Sequence, residues 1–157
     1  MTSRWLDPTE DHVWRQYRRM FEVLESVLSQ ELVDGAGVSM ADYTVLSNLV
    51  EATDRRWRMT DLALRMRWSQ SRLSHQIRRM ERRGLVTREP ALNDGRSSYV
   101  VLTAEGLGLI KSAALVHFRG VRQHMLDLLT PEQLSALGDV ADAIVTHLNG
   151  LEPGTRP

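Results

Sequence analysis

The residues whose types and spacing suit chemistry lie in one stretch, Ser-Gln-Ser-Arg-Leu-Ser-His-Gln-Ile-Arg-Arg-Met at 69–80. Leu73, Ile77 and Met80 recur at helical spacing, so on a helix they share one inward face. Gln70, Ser71, Ser74, His75 and Arg78 then project outward, with Arg72 and Arg79 flanking them. Short hydrogen-bonding groups near a helix N-terminus, followed by long cations, suit a helix laid in a DNA major groove. Amide and hydroxyl groups reach base edges there, while arginine grips guanine or phosphate. An ordinary solvated helix face has the same polarity, so this stretch alone leaves both readings open.

Charge singles out the same region. The 157-residue chain holds 20 basic and 20 acidic side chains, a net charge of zero. Residues 1–54 hold 4 arginines against 10 acids (net −6), 55–96 hold 12 against 4 (net +8), and 97–157 hold 4 cations against 6 acids (net −2). A basic segment within a neutral protein is a docking place for a polyanion. Nineteen of the 20 cations are arginine, a bias that a GC-rich coding sequence explains, although arginine also makes bidentate contacts that lysine does not.

Composition excludes several function classes. Hydrophobic residues make up 42% of the chain, enough to core one domain or two tightly joined small ones, which rules out a disordered chain. Without cysteine there is no disulfide framework, thiolate zinc site, nucleophilic cysteine or thiol redox switch. His12, His75, His117, His124 and His147 are scattered, and His117 and His124, seven apart, have no nearby acidic partner in the pattern, so no metal site and no cofactor are expected. No paired-carboxylate, Ser-His-Asp or phosphate-loop spacing stands out, and Gly106-Leu107-Gly108 inside a helical pattern is no dinucleotide fingerprint. The chain therefore does not read as an enzyme. Nor does any apolar run reach signal-peptide or membrane-spanning length, which leads to the expectation of a soluble, cytoplasmic protein without a membrane partner.

The elements that position residues 69–80 follow from apolar periodicity. Val13, Trp14, Tyr17, Met20, Phe21, Leu24, Val27 and Leu28 stripe a long helix over 10–33, ended by Asp34-Gly35-Ala36-Gly37. Ser39 with Asp42 marks the next helix start, and 54–58 reads as a polar, Arg-rich break. Thr60 is the expected cap of a short helix, and Ser69 of another running to about Arg83, where Gly84 stops it. Trp57 and Trp68 flank the short helix and read as packing residues. Two such helices and a following pair of alternating segments, 85–89 and 98–102, match a helix-turn-helix with a β-hairpin. Asn93-Asp94-Gly95 supplies turn chemistry between them, and Arg96 beside the tip has the shape and charge to enter a minor groove. Thr103 caps a further helix. Thr130-Pro131-Glu132-Gln133 opens a last one, expected to bury Leu134, Leu137, Val140, Ala141, Ile144 and Leu148.

Residues 94–106, Asp-Gly-Arg-Ser-Ser-Tyr-Val-Val-Leu-Thr-Ala-Glu-Gly, resemble the D-x-R-x-x-x-V-x-L-T-x-x-G wing signature of the MarR (multiple antibiotic resistance regulator) family. Residues 80–88, Met-Glu-Arg-Arg-Gly-Leu-Val-Thr-Arg, resemble that family's end of the recognition helix and first wing strand. The resemblance implies a mainly α fold with a small β-wing: a winged helix-turn-helix at 38–103, helical dimerisation regions at 1–34 and 104–150, and a disordered tail at 151–157. It further implies an obligate homodimer on a pseudo-palindromic site in double-stranded DNA. By that likeness Gln70, Ser71, Arg72, Ser74, His75, Arg78 and Arg79 meet the major groove. Arg96 meets the minor groove, positioned by Asp94 with Gly95 between them.

Family likeness also implies a ligand pocket where the dimerisation helices meet the winged domain. Trp14, Tyr17, Arg18, Phe21 and His117 are its candidates, offering aromatic walls and a cation to an anionic or phenolic effector. Core or dimer-interface packing is the competing reading for each. The expected function is a sequence-specific repressor of nearby genes relieved by a small molecule. The alternative is a winged-helix interaction module or antirepressor that does not bind DNA.

Overall fold

Asp7, Pro8 and Glu10 open the longest helix of the computed structural model, which describes residues 5–91 and 94–150 and, at 94–97, the backbone alone. The Asp7 carboxylate accepts from the N–H groups of Thr9 and Glu10, and the Glu10 carboxylate accepts from the N–H of Asp7. This capping box starts helix α1 (Pro8–Ala36) ahead of its apolar stripe. The helix also runs through Gly35, expected to help end it. A Cβ on Gly35 would stand 3.0 Å from Val116 Cγ1, so glycine serves close packing there.

Helix α2 (Met40–Glu51) begins as expected, the Ser39 hydroxyl accepting from the Asp42 N–H at 3.1 Å. The segment read as a polar break is instead partly a strand, β1 (Arg56–Arg58), antiparallel to the later strand β3 (Asp94–Leu102). Its anchor is Trp57, whose indole N–H donates to the Asn48 carbonyl at 2.9 Å. A three-residue strand with arginine at both ends carries little strand signal of its own. Arg58, not Thr60, is the N-cap of α3 (Met59–Arg65); the Thr60 hydroxyl donates to the neighbouring Asp61 carboxylate instead. Helix α4 (Gln70–Arg82) starts at Ser69, whose hydroxyl accepts from the Arg72 N–H.

Strand β2 (Val86–Ala91) pairs with β3, giving an antiparallel sheet in the order β1-β3-β2. Pairing runs regularly from Val86 opposite Leu102 to Pro90 opposite Ser98, then shifts so that Ala91 opposes Asp94. Proline lacks the N–H that would continue the ladder, which suits the irregularity to this place. Asp94 and Gly95 are consequently strand residues rather than turn residues; Asn93, the remaining residue of the expected turn, lies outside the described residues, as does the tail at 151–157. Helix α5 (Ala104–His124), a short 3-10 turn at Leu126–Leu128 and α6 (Pro131–Asn149) complete the chain, with the expected capping box at Thr130 and Gln133.

Two compact units divide the chain within α5, at Phe118 and Arg119. In the first, Leu46 and Leu49 of α2, Leu62 of α3, Leu73, Ile77 and Met80 of α4, and Val86 and Val100 of the sheet form one core. Leu32, Val38 and Ala113 form a second cluster at the end of α1. The upper part of α1 remains open, Trp14 and Phe21 being 51% and 55% exposed. In the second unit the stripe expected to be buried in α6 is present but uncovered: the helix has no buried residue, and Ile144 is 52% exposed. Among the described residues only the end of α5 and the 3-10 turn share that unit, which leaves too little apolar surface to cover it.

Gly106 fixes how α5 enters the first unit. The Thr103 hydroxyl accepts from the Gly106 N–H at 3.0 Å and donates to the Gly84 carbonyl at 2.7 Å, tying the helix start to the end of the α4 turn. A Cβ on Gly106 would overlap the backbone carbonyl of Leu85 and approach Leu102 Cδ1 to 2.8 Å. Because the first obstacle is backbone, Gly106→Ala is expected to cost about 2–3 kcal/mol in denaturant unfolding. A change within about 0.5 kcal/mol would show that α5 does not need this approach.

Candidate nucleic-acid interface

Helix α4 is built with two unlike faces. Leu73, Gln76, Ile77 and Met80 are buried, while Gln70, Ser71, Arg72, His75, Arg78 and Arg79 are exposed and Ser74 is half-buried. All seven residues expected at a groove thus lie off the buried face. At helical spacing Ser71, His75 and Arg78 run along the middle of the outer face, and exposed Arg82 continues the line by another turn. Arg82 belongs with the candidates, and its spacing from Arg78 and His75 was the signal for it.

A buried polar clamp holds this helix. Asp42 is 3% exposed, and its carboxylate accepts from Gln76 Nε2 at 2.6 Å and from Arg83 Nη1 at 2.7 Å. The same carboxylate closes the α2 capping box by accepting from the Ser39 N–H, and Arg83 Nη2 donates to the Gly37 carbonyl. The middle and the C-terminal end of α4 are therefore referenced to the start of α2. Periodicity treats Gln76 as an interruption of the apolar face and Asp42 as a capping residue; their pairing across 34 positions has no local signature.

The wing is tied to α4 as well. Arg88 on β2 donates from Nη2 to the Ser74 carbonyl at 3.1 Å and pairs through Nε with the Glu81 carboxylate at 3.2 Å. At the base of the sheet Arg56 stacks 4.1 Å from the Tyr99 ring centroid and reaches Glu89 at 3.5 Å, joining all three strands. Asp94, Gly95 and Arg96 have backbone in β3, and their side chains lie outside the described residues. On α4 itself Arg78 Nη2 lies 3.4 Å from Ser74 Oγ, and Arg72 stacks 4.0 Å over Trp68. Trp57 and Trp68 pack against the main core, as expected.

The ligand candidates fall into two groups. Trp14 and Tyr17 stack at 5.9 Å on the open face of α1, near exposed Phe21, and Arg18 pairs with Glu22 on the same helix. His117 of α5 packs against Tyr43 of α2 at 4.5 Å between ring centroids and against Phe118 at 5.9 Å. Its buried Nδ1 has no hydrogen-bond partner among the described residues, and burial holds its pKa below the usual histidine range. Burial also raises the Tyr43 phenol above its ordinary value, against the lowering effect of a Ser47 hydrogen bond. Among the described residues no group of three or more potential ligands stands ready for a metal ion, and no helix is long and apolar enough to cross a membrane.

A model of the MarR family matches residues 36–97, the segment from the end of α1 into the wing. No curated protein matches the chain. Among solved structures, AbsC, a MarR family transcriptional regulator from Streptomyces coelicolor, is 41% identical over 95% of this chain and 100% of its own, with a TM-score of 0.86. A second MarR family transcriptional regulator from Streptomyces coelicolor, solved in complex with DNA, is 38% identical over 98% of this chain and 94% of its own, with a TM-score of 0.87. Apo MarR from E. coli shares the fold at a TM-score of 0.71 and 18% identity, over 90% of this chain and 98% of its own. With a polar, arginine-bearing helix clamped beside a β-wing, and near-complete coverage at this identity, the chain belongs to the MarR family of transcriptional regulators.

Proposed function

We propose that this protein acts as a homodimer in the cytoplasm and binds a pseudo-palindromic site in double-stranded DNA, repressing nearby genes until a small effector releases it. The observation that carries the reading is the outer face of α4: every expected groove residue from Gln70 to Arg79 lies off the buried face, in the segment of net charge +8. Gln70, Ser71, Ser74 and His75 would read base edges, with Arg72, Arg78 and Arg79 on guanine or phosphate. Arg96, positioned by Asp94 and Gly95, would enter the minor groove. The complex with DNA of the 38% identical relative supports DNA binding as such.

Residues 38–103 then form the DNA-binding domain, and 1–34 with 104–150 the dimerisation region. Open apolar stripes on α1 and on α6 support a second copy as their cover. The effector would be anionic or phenolic, met by Trp14, Tyr17, Arg18, Phe21 and His117.

A mobility-shift titration on duplex from the gene's own upstream region, with excess competitor, tests the reading. Specific retention is expected, and Arg96→Ala should weaken it by about 1–3 kcal/mol without lowering thermal stability. Retention abolished equally by any competitor would favour a protein-interaction module, and an unchanged affinity in Arg96→Ala would remove the wing arginine from the contacts.

A further inference from the structure

We propose that Trp68 is a positioning residue for DNA recognition: its indole face presents the Arg72 guanidinium to one guanine in each half-site and thereby sets specificity at that base pair. The inference rests on the reading of α4 as the helix that enters the major groove.

Trp68 is itself firmly placed. It sits in the turn between α3 and α4, its backbone N–H donates to the Ala63 carbonyl at 2.9 Å, and its ring packs half-buried against the main core. Arg67 before it holds a left-handed backbone, φ 53°, a conformation that a non-glycine residue adopts when its surroundings enforce it. Arg72 stands in the first turn of α4, its N–H bound to Ser69 Oγ at 3.1 Å, and its Cζ lies 4.0 Å from the indole centroid. Tryptophan is the strongest of the aromatic partners for a cation.

Stacking occupies the face of a guanidinium and leaves the N–H donors at its edge. Those in-plane donors are the ones that fork onto guanine O6 and N7. A second stack shows the contrast. Arg65 lies 5.5 Å over Trp57, but its Nε and Nη2 donate to Asn48 Oδ1 at 2.6 Å and Glu51 at 2.7 Å, a structural use. Among the described residues no carboxylate pairs with Arg72, and no other cation of α4 lies over a ring. Holding one rotamer in advance removes part of the ordering cost that a free arginine meets on binding.

The test uses the full chain and a bound duplex with every single-base substitution of one half-site. Arg72→Lys keeps the charge and loses the planar fork, so it should flatten discrimination at one position while binding to non-specific duplex persists. Trp68→Leu should lower discrimination at that same position about three- to tenfold and leave the other positions unchanged. Trp68→Phe, which keeps a ring and most of the packing, should restore much of it. In an Arg72→Ala background Trp68→Leu should add nothing at that position. The proposal is overturned if Arg72→Lys retains full discrimination, if Trp68→Phe weakens every position alike, or if Trp68→Leu has its whole effect without Arg72. Should wild-type protein retain no duplex at all, it is the DNA-binding reading that fails.

Discussion

Asp42→Ala is expected to cost about 3 kcal/mol of unfolding free energy and to loosen α4 from α2. The buried carboxylate takes part in the α2 capping box, worth about 1 kcal/mol. Its removal also strands the Gln76 amide inside the core, where an unsatisfied donor costs about 1–3 kcal/mol. Arg83 is 42% exposed at its side chain and can turn to water, so its share of the loss is small. For a chain of this length the sum corresponds to a fall in melting temperature of about 6–12 °C. Asp42→Asn keeps shape and one acceptor and should lose less. Thermal unfolding followed by circular dichroism reads both variants. A loss below about 1 kcal/mol for Asp42→Ala would mean that the clamp does not hold the helix.

DNA affinity is expected to fall about a thousandfold between 50 and 200 mM salt. If about three cations of each protomer neutralise phosphates, a dimer engages about six, and a slope near −0.9 per phosphate gives that change. The zero net charge of the chain does not oppose this, because the +8 segment carries the contact face while the −6 and −2 segments carry α1 and α6. Acidic flanks should instead orient the protein on the duplex. Affinity measured by fluorescence anisotropy across that range gives the slope directly, and a nearly flat line would show that α4 does not meet the phosphate backbone.

Much of this architecture is legible from local signals. Ser39, Ser69 and Thr130 mark three helix starts, since a hydroxyl that satisfies a first-turn N–H is a local device. The two faces of α4 follow from the spacing of Leu73, Ile77 and Met80. What escaped is non-local. Strand β1 exists because β3 and Asn48 receive Trp57, and neither is near it in sequence pattern. The shifted hairpin depends on a register change at Pro90, where turn propensity points to Asn93-Asp94-Gly95. Gln76 and Asp42 find each other only in three dimensions. The stripe of α6 is apolar as expected but uncovered within the single chain, because periodicity specifies a face without specifying what covers it.

Selection of duplexes from a random library by the wild-type protein, with the mass of the resulting complex determined in solution, tests the central claim most directly. A dimeric winged-helix regulator predicts enrichment of a pseudo-palindrome whose half-sites lie about one helical turn, roughly 10 base pairs, apart, bound by two copies of the chain. No enrichment at low salt, or an asymmetric site bound by a single copy, would contradict it.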